Sequence, residues 1–245
     1  MWKALFVFFV MNLMAHACAA GARETCFPDP DTPLVVHSCR DFRITGSGQN
    51  AQWKKAVWFN LQKLDTAGSS YTSRFKILYA ASGIYVLFKG EDARISSSFT
   101  KDFDKLFLGD VFEVFFHPDP SVPAYLEYEI SPLGNELVLL MSGQNGRISG
   151  HVPQSYEGQQ KVQKAVHISG GKMKPGAVIR SWTAELFFPY ALFGSFQHMP
   201  PVKGTRWKAN FCRLDYDSGT MVKWAWAPVQ DSFHELHRYR TLVFD

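Results

Sequence analysis

Cysteine is scarce in this sequence, with four in 245 residues. None of the four forms a CxxC pair or falls at a His/Cys spacing, which leaves no basis for a zinc site. Clustered positive charge is missing too. The formal charge is only +4, and the lysines and arginines are scattered rather than interleaved with aromatics, so no nucleic-acid partner is expected. No apolar run is long enough to cross a bilayer, so no transmembrane segment is expected. Beyond the first twenty residues no helical periodicity is sustained, and no internal repeat is visible. A compact Asp-x-Asp-x-Asp loop, the simplest calcium signature, is also absent.

What is present begins with an export signal. Lys3 supplies the positive start, Ala4 to Met14 is almost wholly apolar, and small residues follow at Ala15, Ala17, Ala19 and Ala20. Charge, short apolar core and small residues in that order describe a cleaved signal peptide over residues 1–20, leaving one domain over 21–245 and a secreted or periplasmic location. Cys18, after Ala-His-Ala, offers a second route, processing as a lipid-anchored protein. His16 is out of keeping with a lipobox, so signal-peptide cleavage is favoured. In an oxidising compartment Cys26 and Cys39, which bracket a Pro/Asp-rich stretch, are expected to form a disulfide. Cys212 lies in an alternating strand and is expected to be buried as a small apolar residue.

Nearly every readable segment is a strand. Arg74 to Ala80 alternates, Ala81-Ser82-Gly83 turns, and Ile84 to Lys89 returns as a hairpin. Val111 to Phe116 is apolar on both faces except at Glu113, which predicts a central strand. In Tyr125 to Ile130, Leu126, Tyr128 and Ile130 share one face and Tyr125, Glu127 and Glu129 the other. Glu136 to Met141 reads as a strand and Ser142 to Gln160 as a long surface loop. Val178 to Phe188 and Arg206 to Tyr216 are long strands, with a short helical turn expected at Tyr190 to Phe193. Thr241 to Phe244 closes the sheet. Together these predict an all-β, two-sheet antiparallel β-sandwich, jelly-roll-like.

Several segments resemble one known pattern in order and spacing. They are ILYAASGIYVLFKGEDARI with Asp92, FLGDVFEVFFHPD with Asp110 and Glu113, AYLEYEISPLGN with Ser131 at its turn, SWTAELFFPYALFG, GTRWKANFCRLDY, and WAWAPVQDSFHELHRYRTLVF. From about Gln49 to Phe244 the chain resembles the family-9 carbohydrate-binding modules, a DOMON-related sandwich family. The resemblance implies non-catalytic binding of an oligo- or polysaccharide between two aromatic platforms. Sugar-binding members carry tryptophans there, and the matching positions here are Phe107 and Phe233. It also implies hydrogen-bonding groups at Glu113 and Gln230, and it places Glu127 where such members carry an arginine. A pyranose suits such a set, because its C–H faces pack on rings while its hydroxyls need fixed donors and acceptors.

Other chemistries compete for the same residues. Glu113, Glu127 and Glu129 could form the carboxylate pair of a glycoside hydrolase, although Glu127 and Glu129 share a face through simple alternation. No cofactor is expected for sugar binding itself. Structural calcium, held by some family members, has candidate ligands in Asp92, Asp110, Asp119 and Glu129, which turn and strand-start roles also explain. Some DOMON-type sandwiches bind haem through Met and His, and His234 or His237 with Met141, Met199 or Met221 are the candidates here. Trp182 and Trp207 read as core. Trp224 and Trp226 divide evenly between core and a second sugar platform.

Overall fold

The alternation and the Gly- and Pro-bearing turns that separate it produce strands almost throughout. A computed structural model describes residues 32–144, 146–154, 156–197 and 199–245. The export segment, Cys18 and Cys26, and with them the Cys26–Cys39 disulfide, lie outside the described residues.

Fourteen strands occur among those residues: β1 (Leu34–Ser38), β2 (Phe59–Asn60), β3 (Gln62–Lys63), β4 (Ser73–Tyr79), β5 (Gly83–Glu91), β6 (Val111–His117), β7 (Ala124–Ile130), β8 (Glu136–Gln144), β9 (Arg147–Pro153), β10 (Gln163–Ser169), β11 (Ser181–Pro189), β12 (Arg206–Asp215), β13 (Val222–Ala225) and β14 (Arg240–Phe244). Along the hydrogen-bonded path the order is β10-β11-β5-β4-β1-β14-β12-β6-β7-β8-β9. The first four of these strands make a back leaf and the last six a front leaf. β1 joins the two leaves by pairing in parallel with both β4 and β14. The other neighbouring strands on this path pair antiparallel.

Aromatic residues from the two leaves meet in the core. Phe88 of β5 stacks on Phe112 of β6 with ring centroids 4.7 Å apart and planes 5° from parallel. Phe75 of β4 stacks on Phe211 of β12 at 3.9 Å. Each such pair adds roughly 0.5–1.5 kcal/mol beyond the area it buries. Trp182, Trp207, Trp224 and Trp226 all belong to this buried core. The even balance for Trp224 and Trp226 therefore resolves to core, and neither offers a platform to a ligand.

Residues 42–56 are fastened to the back leaf by one buried acid. Glu185 of β11 accepts hydrogen bonds from the backbone N–H groups of Thr45 and Gly46, each at 2.8 Å, and from the Trp53 indole at 2.7 Å.

The expected hairpin (β4–β5), the central β6, the buried Cys212 and the turn at Tyr190–Phe193 are all present. The long loop expected over Ser142 to Gln160 is not. β8 runs on to Gln144 and pairs with β9 through a register shift at Ser142/Gly143. β9 is exposed at every residue. A strand wetted on both faces has no apolar alternation, so its sequence resembles a loop.

Candidate functional site

The alternation in β6, β7 and β8 sends one set of side chains between the leaves and the other onto the outer face of the front leaf. Glu113, Glu127, Glu129, Leu137, Leu139 and Met141 belong to the outer set. Two loops roof part of this face. The segment before β6 carries a 3-10 turn at Leu106–Leu108, and the segment before β14 runs through Phe233 to a 3-10 turn at Leu236–Arg238. Leu106 and Phe233 pack there on Val111, Phe115, Tyr125 and Tyr239 in a second apolar cluster. Between the roofing loops lies a cleft of about 800 Å³.

Four of the five residues predicted for the site line this cleft: Phe107, Phe233, Glu113 and Glu127. The two aromatics differ in character. Phe107 is 40% exposed, whereas Phe233 is 8% exposed. Its edge meets Phe115 at 6.2 Å, and the Tyr239 hydroxyl donates to its carbonyl at 2.8 Å. Phe107 is pinned through its backbone. Its carbonyl accepts from the Tyr216 hydroxyl at 2.7 Å, and its N–H donates to the Glu129 carboxyl. A backbone held at both polar groups leaves the ring free to face a ligand.

Gln230, predicted for the floor, lies outside the cleft and is exposed. Its backbone N–H instead joins those of Asp231 and Ser232 in donating to Glu235. Burial disfavours ionisation of Glu235, yet these donors and Arg238 hold its carboxyl down at about 2. Glu235 therefore organises the loop that carries Phe233, and the polar residue in front of that loop turns outward.

Sequence reasoning did not assign Glu129, Phe103 and His234 to the sugar site, although all three line the cleft. The signal for Glu129 was present, because residues i and i+2 of one strand share a face. Phe103 carries no such signal. It is 40% exposed and adopts φ 66°, a left-handed conformation uncommon for a bulky side chain. His234 Nδ1 hydrogen-bonds the Tyr125 hydroxyl at 2.8 Å.

The floor is electrostatically unusual. Glu113 lies directly across from Glu129 in the β6–β7 register. Burial, and then the neighbouring Glu127 charge, raises Glu113 well above the usual carboxylate range. Burial, followed by the charges of Glu113 and Glu127, does the same to Glu129. Burial pushes Glu127 up to about 7, and a hydrogen bond with Glu129 limits the rise. Burial drives His234 down to about 4, so its ring is neutral at physiological pH. The cleft is thus floored by three buried carboxyl groups whose ionisation is disfavoured.

The acids give the hydrolase reading no support of their own: Glu127 and Glu129 share a face by the plain alternation of β7, and Glu113 is the register partner of Glu129 on β6. Haem fits poorly as well. Met141, Met221 and His234 do line the cleft, but a macrocycle there would lie over three carboxyl groups. His237 lies outside this cleft and Met199 packs against the inner core.

The calcium candidates each have hydrogen-bond partners in the protein. Asp92 accepts from Arg213 at 3.1 Å and from the Trp182 indole at 3.0 Å. Asp110 accepts from the Ser96 and Tyr216 backbones, Asp119 caps a turn at Ser121, and Glu129 lies in the cleft. Asp92, Asp215 and Asp217 do gather closely. The fully buried Arg213 guanidinium lies 2.6 Å from Asp215 and pairs with Asp92 as well.

A β-sandwich presenting an exposed aromatic above buried acids has the architecture of a ligand-binding β-module. The chain belongs to carbohydrate-binding family 9, which it matches over residues 49–244. Among solved structures it is similar to a protein from Bacteroides uniformis described as carbohydrate-binding, with 17% identity, TM-score 0.67, and coverage of 87% of this chain and 99% of that one. It is also similar to a family-9 module of Caldicellulosiruptor kristjanssonii in complex with glucose, at 11% identity and TM-score 0.57, covering 86% of this chain and 95% of that one. A family-9 module of the same organism in complex with cellotriose gives 14% identity and TM-score 0.58, covering 87% and 94% respectively. No curated protein matches the chain significantly.

Proposed function

We propose that this protein is an exported, non-catalytic carbohydrate-binding module that receives a glycan in the cleft on the outer face of the front leaf. Family membership supports the class of function, and the observation that carries the location is the exposed, backbone-pinned Phe107 beside Glu113 and Glu127. A pyranose would lay its C–H face on the Phe107 ring while its hydroxyls donate to the carboxyl floor. Phe233 closes the opposite side. Binding of this kind requires no cofactor. Glucose and cellotriose in the related modules make glucose-type rings the first ligands to try. Export is supported by the order of charge, apolar core and small residues at positions 1–20, and no described helix is long and apolar enough to cross a membrane.

The test is a glycan array followed by calorimetry on the strongest hit, comparing wild type with Phe107→Ala. Binding that weakens in the variant is expected. A hit bound equally well by Phe107→Ala would move the site away from the cleft, and the absence of any hit would remove the carbohydrate reading.

A further inference from the structure

The cleft floor holds acidic groups that the rest of the protein does not balance. Glu113, Glu127 and Glu129 are 3%, 6% and 1% exposed. Among the described residues no lysine or arginine forms an ion pair with any of them. The basic group that approaches is His234, with Nδ1 4.0 Å from Glu127 Oε2, and burial keeps that ring neutral. Rim charges cancel, Lys105 and Lys223 against Asp104 and Asp231. The Oε2 atoms of Glu127 and Glu129 are buried with no hydrogen-bond partner. Buried acids of this kind either hold a proton or await a cation.

We propose that the cleft selects a saccharide carrying a free, protonated amine, whose ammonium group seats against Glu113, Glu127 and Glu129 while its ring packs on Phe107. This rests on the carbohydrate-binding reading and narrows it. An ammonium has three N–H donors and no acceptor, which suits a floor made only of acceptors once it is ionised. A phenyl ring beside the floor favours a cation through the negative face of its π-system. An acetylated amine loses the charge, and a uronic acid is repelled. On binding, a proton held by the acidic floor leaves for solvent and the ammonium takes its place, so the exchange conserves charge.

Three β-1,4-linked tetrasaccharides that differ only at C2 test this by calorimetry at neutral pH: the glucosamine oligomer (amine), its N-acetylated form (acetamide) and cellotetraose (hydroxyl). The amine is expected to bind about tenfold or more tightly than either partner. Repeating the titration in buffers of different ionisation enthalpy should show proton release for the amine alone. The doubly isosteric variant Glu127→Gln/Glu129→Gln, confirmed folded by thermal denaturation, should lose the preference. If that variant does not fold, the wild-type comparison decides. Cellotetraose binding as tightly as the amine, or amine binding without proton release, overturns the inference and leaves carbohydrate binding standing. Failure of all three ligands overturns it too, and the glycan array then decides whether any sugar binds.

Discussion

Glu113 and Glu129 face one another across the β6–β7 ladder, two acids in direct register on the same side of a sheet. Like charges so placed repel, and here both are also buried. The arrangement is tolerable only when a proton or a cation lies between the acids, and this requirement ties the stability of the fold to the chemistry of the cleft.

That linkage has a definite sign. Burial raises the folded-state pKa of Glu127 to about 7 from its ordinary value of 4.5. A carboxyl raised in this way stabilises the fold below its unfolded pKa, and that contribution is lost as pH rises through the folded value. Thermal denaturation should therefore show a higher midpoint at pH 5 than at pH 8, with the loss centred near neutrality. Glu127→Gln should be more stable than wild type at the alkaline end, by on the order of 1–3 kcal/mol, and should lose that advantage at pH 5. A midpoint that rises steadily across this range in wild type would contradict the assignment.

The two cleft aromatics should respond differently to truncation. Phe107→Ala should weaken glycan binding by roughly five- to tenfold, about 1–1.4 kcal/mol, with little change in stability, because its ring is exposed. Phe233→Ala removes a ring packed on Phe115 and should destabilise the fold by about 3 kcal/mol as well as impair binding. Urea denaturation alongside calorimetry separates the two behaviours. Equal stability losses would show that Phe107 is a packing residue.

No turnover is expected. Incubating the protein with the oligosaccharides that it binds should release no new reducing ends. Hydrolysis that disappears in Glu113→Gln would replace the binding reading with an enzymatic one.

Glu185→Ala should cost on the order of 3 kcal/mol, because it strips the acceptor from the buried Thr45, Gly46 and Trp53 donors. Tryptophan fluorescence should report the loosening of Trp53. Glu185→Gln, which can still accept, should recover part of the loss in urea denaturation. No loss in Glu185→Ala would mean that the segment is held by its other contacts, among them the Lys76 hydrogen bond to the Trp53 carbonyl.

Protein recovered from the medium or periplasm should begin between Cys18 and Ala22. Non-reduced peptide mapping should link Cys26 to Cys39 and leave Cys212 free. Intact Met1 in that fraction, or alkylatable thiols at both Cys26 and Cys39, would refute the respective expectation.

Strands that bury one face were readable in the sequence. The Leu126, Tyr128 and Ile130 alternation correctly sent Glu127 and Glu129 to the opposite side, and the family resemblance located Phe107 and Phe233 in the roofing loops. β9 and β10 escaped notice for a common reason: both lie at the ends of the hydrogen-bonded path, where wetter faces weaken the apolar period. Gln230 stands outside the cleft lining, next to Asp231 and Ser232 which are part of it, because a loop residue's position depends on local hydrogen bonds, here the grip of Glu235 on three successive N–H groups. The parallel placement of β1 between two leaves has no local signature, since one of its partners, β14, lies more than 200 residues further along the chain.

That placement has a mechanical consequence. β1 and β14 run parallel and side by side, with Leu34 beside Leu242 and Val36 beside Phe244. A pull that separates the start of β1 from Asp245 therefore acts along the strands, in shear. The hydrogen bonds between them are loaded together and must fail together, whereas a hairpin pulled from its open end unzips one bond at a time. A binding module that tethers a larger body to an insoluble polymer would experience such tension, and the first and last strands of the described fold are arranged to resist it.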